Sequence, residues 1–469
     1  MPNIILGSGQ LSGGYEIDNS LRFDDGSGDN LSASSFGTPT SATTYTLSWW
    51  IKKASNGEVS YLFGWYDGSR TNSGDILFDS NDNLAMYHGS NDGNGKLLQP
   101  TQTFRDSSAW YHMVWSVDTT QSTASNRIKF YVNGSQVTDF SSATYPDQNA
   151  ESKIFHDTNN RIGSQWNGTA STALNGYLAE VVFIDGQALT PTSFGETDST
   201  TNNWVPKDVS GLTFGNNGFH LPFQNASALG QDDSGNGNNF TVNNITSIDQ
   251  CVDTCTNNFA TMNSLQYSPN TQFSDGNLTI KQVVGGNAHR RFLSTLGVSQ
   301  GKYYWETKCV DNPSTFMNGI SDGSGGATGY AKFIGELTNG VGYYGNGNIY
   351  KNGSSVASGL ATFSAGDIIN IALDLDNNYI YFGVNGTWIN SGDPTSGSSG
   401  TGGFSVNSGN TYFAGVSMFT NNQSSNVNFG NAPFSISSGN TDYSGLGNFE
   451  YEVPSGYRAL CTKNIGLVG

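Results

Sequence analysis

Short runs of alternating apolar and polar residues, closed by Asn-Gly, recur along this chain and leave it few ways to fold. In Ile128-Lys-Phe-Tyr-Val132 the apolar Ile128, Phe130 and Val132 fall on one side, Asn133-Gly134 follows, and Ser135-Gln-Val-Thr138 resumes. Asn-Gly readily takes the two positive φ angles of a type I′ turn, whose twist matches that of paired strands, so the unit reads as a β-hairpin. The pattern returns at Tyr379-Ile-Tyr-Phe-Gly-Val384, Asn385-Gly386 and Thr387-Trp388-Ile389. Ile369-Asn-Ile-Ala-Leu-Asp-Leu375 and the turn Asp376-Asn377-Asn378 precede it and complete a three-strand meander. A shorter copy ends at Asn352-Gly353. One apolar face per strand, with a tight turn about every ten residues, points to antiparallel sandwiches.

Composition closes off the alternatives. Helix formers are too scarce for a bundle or coiled coil, and 27 Phe, 22 Tyr and 9 Trp are too many for a chain that buries nothing. The 469 residues suit an all-β chain of two antiparallel, jelly-roll-type β-sandwich domains in tandem. The expected layout is an N-terminal arm at 1–20 that anchors assembly and a domain at 21–200. An Asn/Gly-rich connector at 201–276, marked by Asp232-Asp-Ser-Gly-Asn-Gly-Asn-Asn239, leads to a second domain at 277–435 and a return segment at 436–469. With 38 acidic against 20 basic residues and a net charge of −18, no nucleic-acid partner is expected, since that affinity comes from neutralising phosphates. Leu178-Ala-Glu-Val-Val-Phe-Ile184 reads as a buried strand, and no apolar run is long enough for membrane insertion. The opening ten residues lack the basic and apolar stretches of a secretory leader. Cys251, Cys255, Cys309 and Cys461 are too few for a disulfide framework and are expected as thiols.

In the second half, Gly301-Lys-Tyr-Tyr-Trp-Glu-Thr307, the Gly-Val-Gly-Tyr-Tyr block at 340–344, Ala372-Leu-Asp-Leu-Asp376, Asn385-Gly386-Thr-Trp388 and Val427-Asn-Phe-Gly430 occur in the order of a SPRY (B30.2) domain, which this region resembles. That resemblance implies a bent two-sheet sandwich whose loops bind partners, with no catalytic residues. The first half resembles a laminin-G-like, concanavalin A-like jelly roll through Tyr45-Thr-Leu-Ser-Trp-Trp-Ile51, Trp110-Tyr-His-Met-Val-Trp115, Arg161-Ile-Gly163 and Leu174-Asn-Gly-Tyr-Leu-Ala-Glu-Val-Val-Phe-Ile184. The two together, with the connector phrases Asp233-Ser-Gly-Asn-Gly-Asn-Asn-Phe240 and Thr256-Asn-Asn-Phe-Ala-Thr261, are similar to virion structural proteins of marine tailed bacteriophages.

Glucanases share the concanavalin A-like fold, and a retaining glycosidase needs two carboxylates about 5 Å apart. No Glu-x-Asp-x-Glu occurs, and Glu180 and Asp185 would lie on opposite faces of a straight strand. Asp374 and Asp376 share a face but border a turn. His88, His112, His156, His220 and His289 sit in no nucleophile motif, and His112 reads as a structural strand residue. No catalytic residue is assigned. Sugar binding uses aromatic rings beside amides. Trp65, Tyr66, Tyr87, Trp166 and Asn167 are the candidate ligand contacts in the first domain, and Tyr343, Tyr344 and Trp388 in the second. Trp49, Trp50, Trp110, Trp115 and Trp305 are assigned to the core; for Trp166 both readings stay open. Sandwiches of this type often hold Ca2+, and Asp24, Asp67 and Asp185, at predicted strand ends, are its candidate ligands, although turn capping accounts for most of the chain's Asp residues.

The resemblance thus implies a non-enzymatic virion structural protein, assembled in the host cytoplasm. It would be a tail-fibre or related exposed component that binds a host surface polysaccharide or protein beside other virion proteins, as a homotrimer whose linked sites raise avidity. The alternative is a head or tail-shaft decoration protein that uses its sandwiches for protein–protein contacts only.

Overall fold

A computed structural model describes residues 14–34, 36–66, 74–88, 96–156, 159–165, 167, 172–265, 271–283, 289–311, 313–324 and 332–468. They divide after Thr256 into two compact units, both built of large, almost wholly antiparallel β-sheets. Both Asn-Gly pairs turn as expected. Asn133 and Gly134 have φ of 46° and 78° between strands Ile128–Val132 and Ser135–Gln136, and Asn385 and Gly386 have 48° and 80° between Tyr379–Val384 and Thr387–Trp388. The return strand after Gly134 stops at Gln136, two residues short of expectation.

In the first unit, Thr44–Lys53 and Gly176–Asp185 form the centre of one eight-stranded sheet, with Trp110–Asp118 and Ser20–Phe23 beside them. The opposing eight-stranded sheet runs through Leu84–His88, Gly74–Phe78, Ser60–Tyr66, Asn159–Ile162 and Asn30–Ala33. Trp49, Phe63, Trp115 and Phe183 fill the space between. Gly176–Asp185 is buried at every position, so the first sheet is covered on both faces. Its outer face is covered by Val209 and Phe214, from the segment expected to be a connector, and that segment also extends both sheets. Phe219–Leu221 pairs with Val181–Phe183, Gln250–Cys251 pairs with Ser20–Leu21, and Thr241–Asn243 joins the other sheet at Asn30–Ser32. Phe219, Phe223 and Phe240 enter the main core, each contributing about 2 kcal/mol. The connector at 201–276 is therefore corrected: residues 201–256 complete the first sandwich, and residues from 257 belong to the second unit. The Asp/Asn run is folded as well. Asp232 accepts from the backbone N–H groups of His220, Ser234 and Asn238, while Asn236 and Asn238 both donate to the Gly218 carbonyl. The described end of the arm is docked too, with Ile17 buried against Trp50 and Ala179.

The second unit pairs a nine-stranded sheet, centred on Lys302–Cys309 and Ile368–Asp374, with a six-stranded sheet centred on Met317–Ser321 and Tyr412–Met418. Its described residues include one α-helix, Thr462–Val468. The return segment is an integral layer rather than a tail: Arg458–Ala459 runs parallel to Tyr303–Tyr304, and Phe449, Tyr457 and Cys461 cover Tyr304 and Tyr381. Glu306, fully buried, accepts hydrogen bonds from Tyr304 Oη, Asn428 Nδ2 and the backbone N–H groups of Glu450 and Tyr451, which pins that layer.

Candidate ligand-binding face

Side chains alternate along a strand, so its register decides which ones can meet a ligand. In Ser60–Tyr66 a bulge between Tyr61 and Phe63 sends Leu62, Phe63 and Trp65 all inward and leaves Tyr61, Gly64 and Tyr66 for the outer face. Across that face Leu97, Tyr87, Asp75, Gly64 and Arg161 stand in register on five adjacent strands. At about 4.8 Å per strand, Tyr87 and Arg161 are about 14 Å apart, with a side-chain gap at Gly64 between acid and base. Tyr66, half-exposed, pairs with Asn159 one diagonal step away. Burial pushes the Asp75 carboxyl up to about 8, so at neutral pH it is protonated and can donate as well as accept. Burial and then the Asp75 charge raise the Tyr61 phenol to about 12 and the Tyr87 phenol in the same direction. Arg161 Nη1 donates to Asn30 Oδ1 at 2.6 Å, which orients the guanidinium. The face offers two half-exposed rings and a cation over a glycine floor, with the Asp75 carboxyl buried beneath them.

The structure brings Tyr66 and Tyr87 together here and disperses the other candidates. Trp65 is corrected: it is 1% exposed, with its ring centroid 6.1 Å from that of Trp115, and an indole enclosed between sheets cannot stack on a ligand. Trp166 and Asp67 lie outside the described residues, and Asn167 is exposed. Tyr343 is also corrected, because its ring is in the second core and its Oη donates to the Ala361 carbonyl. Tyr344, half-buried, sits edge-on to Tyr350 at 6.1 Å, whereas Trp388 packs on the Phe449 and Tyr457 layer of the other sheet. Sequence reading passed over Tyr61, Gly64, Asp75 and Arg161 as residues of a ligand-binding face. Alternation through Gly74–Phe78 was the available signal.

The cation expectation is corrected at Asp185. Its carboxylate accepts from the backbone N–H groups of Thr40 at 2.6 Å, Ser41 at 3.0 Å and Asn217 at 3.0 Å, so its oxygens knit three loops. Asp24 Oδ1 accepts from Gly26 N–H within its own turn. Among the described residues no three His, Cys, Asp or Glu side chains are grouped as metal ligands.

Two polar pairs resemble catalytic parts and are decided by their partners. Ser48 Oγ lies 2.9 Å from His112 Nε2, but Trp204 Nε1–H donates to His112 Nδ1 at 2.9 Å. The proton must then sit on Nε2, which donates to Ser48, whereas a base that activates serine must accept there. Burial lowers His112 to about 3 and keeps it neutral, stacked on Trp50 at 4.7 Å. The expectation of a structural histidine therefore stands. Glu180, at φ 47° in a bulge of Gly176–Asp185, meets His220 Nε2 at 2.7 Å. The bulge removes the straight strand on which its separation from Asp185 was argued, yet the two carboxylates serve different partners.

Residues 25–193 match the model of the concanavalin A-like lectin/glucanases superfamily, and the chain carries such a domain there. No curated protein matches the chain. Similar solved structures include the SPRY domain of human HERC1, at 19% identity over 35% of this chain and 96% of that one with a TM-score of 0.28. The PSpry domain of TRIM65 is 12% identical over 36% and 88%, with a TM-score of 0.29. The heptameric SAP-like pentraxin of Limulus polyphemus is 16% identical over 38% and 80%, with a TM-score of 0.25.

Proposed function

We propose that this chain is a non-enzymatic structural component of a tailed-phage virion, exposed at a tail fibre or related appendage. Its first unit contacts a host surface polysaccharide or protein through Tyr66, Tyr87 and Arg161. The observation that carries the binding reading is the outer face itself, on which two rings able to cover a sugar's C–H face stand with a guanidinium able to bond its hydroxyls. The virion setting draws its support from the tandem organisation met in the sequence. Contacts of this kind are weak singly, so a homotrimer assembled with other virion proteins gains its hold by linking sites. The test is adsorption of the purified chain to host cells, wild type against Tyr66→Ala/Tyr87→Ala, together with antibody labelling of particles. Undiminished adsorption by the double variant would sink the assigned face, and label confined to the capsid would sink the appendage.

A further inference from the structure

A second recess lies in the first unit, on the segment that follows Phe219–Leu221 and outside residues 25–193. It is an open groove of about 390 Å³ lined by Pro222, Phe223, Gln224, Asn225, Ala228, Gln231 and Asp233. Its backbone is unusual. Phe223, a bulky residue, is held at φ 58°, and Gln250 Nε2 donates to the carbonyls of both Phe223 at 2.6 Å and Gln224 at 2.8 Å. A left-handed aromatic residue is a costly conformation that persists when its surroundings enforce it, and such positions gather at ligand sites. The wall is a directed relay: Asn225 Nδ2 donates to Gln231 Oε1 at 2.9 Å, and Gln231 Nε2 donates to Asp233 Oδ1 at 3.1 Å. Asn225 Oδ1 accepts from Ser227 N–H, which sets the first amide of the chain. Each amide is thereby oriented before any ligand arrives. That leaves the second N–H of Asn225, the second N–H of Gln231 and Asp233 Oδ2 as two donors and an acceptor in the lining.

We propose that this groove binds a neutral hexose unit of a saccharide. A hydroxyl both donates and accepts, so adjacent hydroxyls of a pyranose satisfy an amide N–H and the Asp233 carboxylate together, while the exposed Ala228 meets the C–H edge. The lining holds one carboxylate and no cation, so uronate and sulfated sugars are disfavoured. A lone carboxylate among amides also falls short of the oxygen set a Ca2+ ion needs. The Phe223 ring is buried and offers no stacking face.

The inference rests on the reading of this chain as a surface binder, and its test separates the two. Ligand-observed saturation-transfer NMR on the full chain uses the methyl α-pyranosides of glucose, mannose and galactose and of glucuronate. It compares wild type, Asp233→Asn, Gln231→Ala and Tyr66→Ala/Tyr87→Ala. Gln231 and Asp233 are exposed, so thermal melts serve to confirm intact folds. The expected result is binding of at least one neutral hexoside, no glucuronide signal, about tenfold weaker binding in Asp233→Asn, the worth of one charge-assisted hydrogen bond, and about threefold weaker binding in Gln231→Ala, the worth of a neutral one. Hexoside binding unchanged in those two variants but lost in the tyrosine variant overturns the groove and leaves the binding reading standing. No hexoside binding by wild type, with cell adsorption retained, does the same. Absence of both overturns both.

Discussion

Replacing Glu306 by alanine should undock the C-terminal layer of the second unit. Four donors converge on this carboxylate at 2.8 to 3.0 Å: Tyr304 Oη, Asn428 Nδ2, Glu450 N–H and Tyr451 N–H. They are not equally exposed to its loss. Asn428 Nδ2 keeps the Asn448 carbonyl, and Tyr304 Oη still accepts from Asn370, but its own O–H proton is left without an acceptor in a buried site. An orphaned buried donor costs about 1 to 3 kcal/mol, and each partly buried amide that must find water instead costs about 1 kcal/mol. The total is about 4 kcal/mol. Glu306→Gln should cost about half of that, because its NH2 end opposes two of the donors while its oxygen retains the others. With a urea slope of about 2.5 kcal/mol per molar, the alanine variant moves the midpoint of the second unit down by about 1.6 M. Hydrogen exchange gives the direct readout, since the Glu450 and Tyr451 amides lose protection before the sandwich melts. If those amides stay as protected as in wild type and the midpoint moves by less than about 0.2 M, the carboxylate does not hold this layer in place.

Three further outcomes follow from the first unit. Asp253→Ala removes the carboxylate that lies 2.8 Å from the Lys52 ammonium, with both side chains 1% exposed, and that accepts from Trp110 Nε1–H at 3.1 Å; it should cost about 3 to 5 kcal/mol in chemical denaturation. Lys52→Met/Asp253→Leu should recover most of that loss, and a double variant no better than the single one would refute the pairing. Burial lowers the pKa of His220, but the hydrogen bond and charge of Glu180, with Asp233 and Asp232 behind them, outweigh it and hold the imidazolium above its ordinary value. Its stabilising contribution is therefore complete below about pH 6.5 and fades as pH rises through the raised folded value, so thermal melts of His220→Gln should lose that alkaline decline. Gly134→Ala combines a φ of 78° with a Cβ that would lie 2.4 Å from the Trp204 ring. It should destabilise by at least about 1 kcal/mol and disturb the stack of Trp204 on His112, visible in near-ultraviolet circular dichroism.

Local chemistry was legible in the chain itself. The hairpins at Asn133-Gly134 and Asn385-Gly386, the strand meander around Ile371, the all-β class and the structural role of His112 depend on side-chain alternation and on which residues tolerate positive φ. Both are properties of a few adjacent positions. Whether Trp65 or Tyr66 faces outward was not legible. One bulge at Tyr61 changes the parity of the strand, and its position depends on the partner Gly74–Phe78. The fate of residues 201–256 was hidden for a related reason. Their Asn and Gly content is that of any loop, and their place is set by the outer face of Gly176–Asp185, which is apolar on both sides and must be covered from somewhere. Distance along the chain conceals such cover, and only the closed sandwich shows that Val209 and Phe214 supply it, while Phe219 and Phe240 enter the main core. The same holds for the candidate sites, where Tyr87, Asp75 and Arg161 become neighbours through strand register alone.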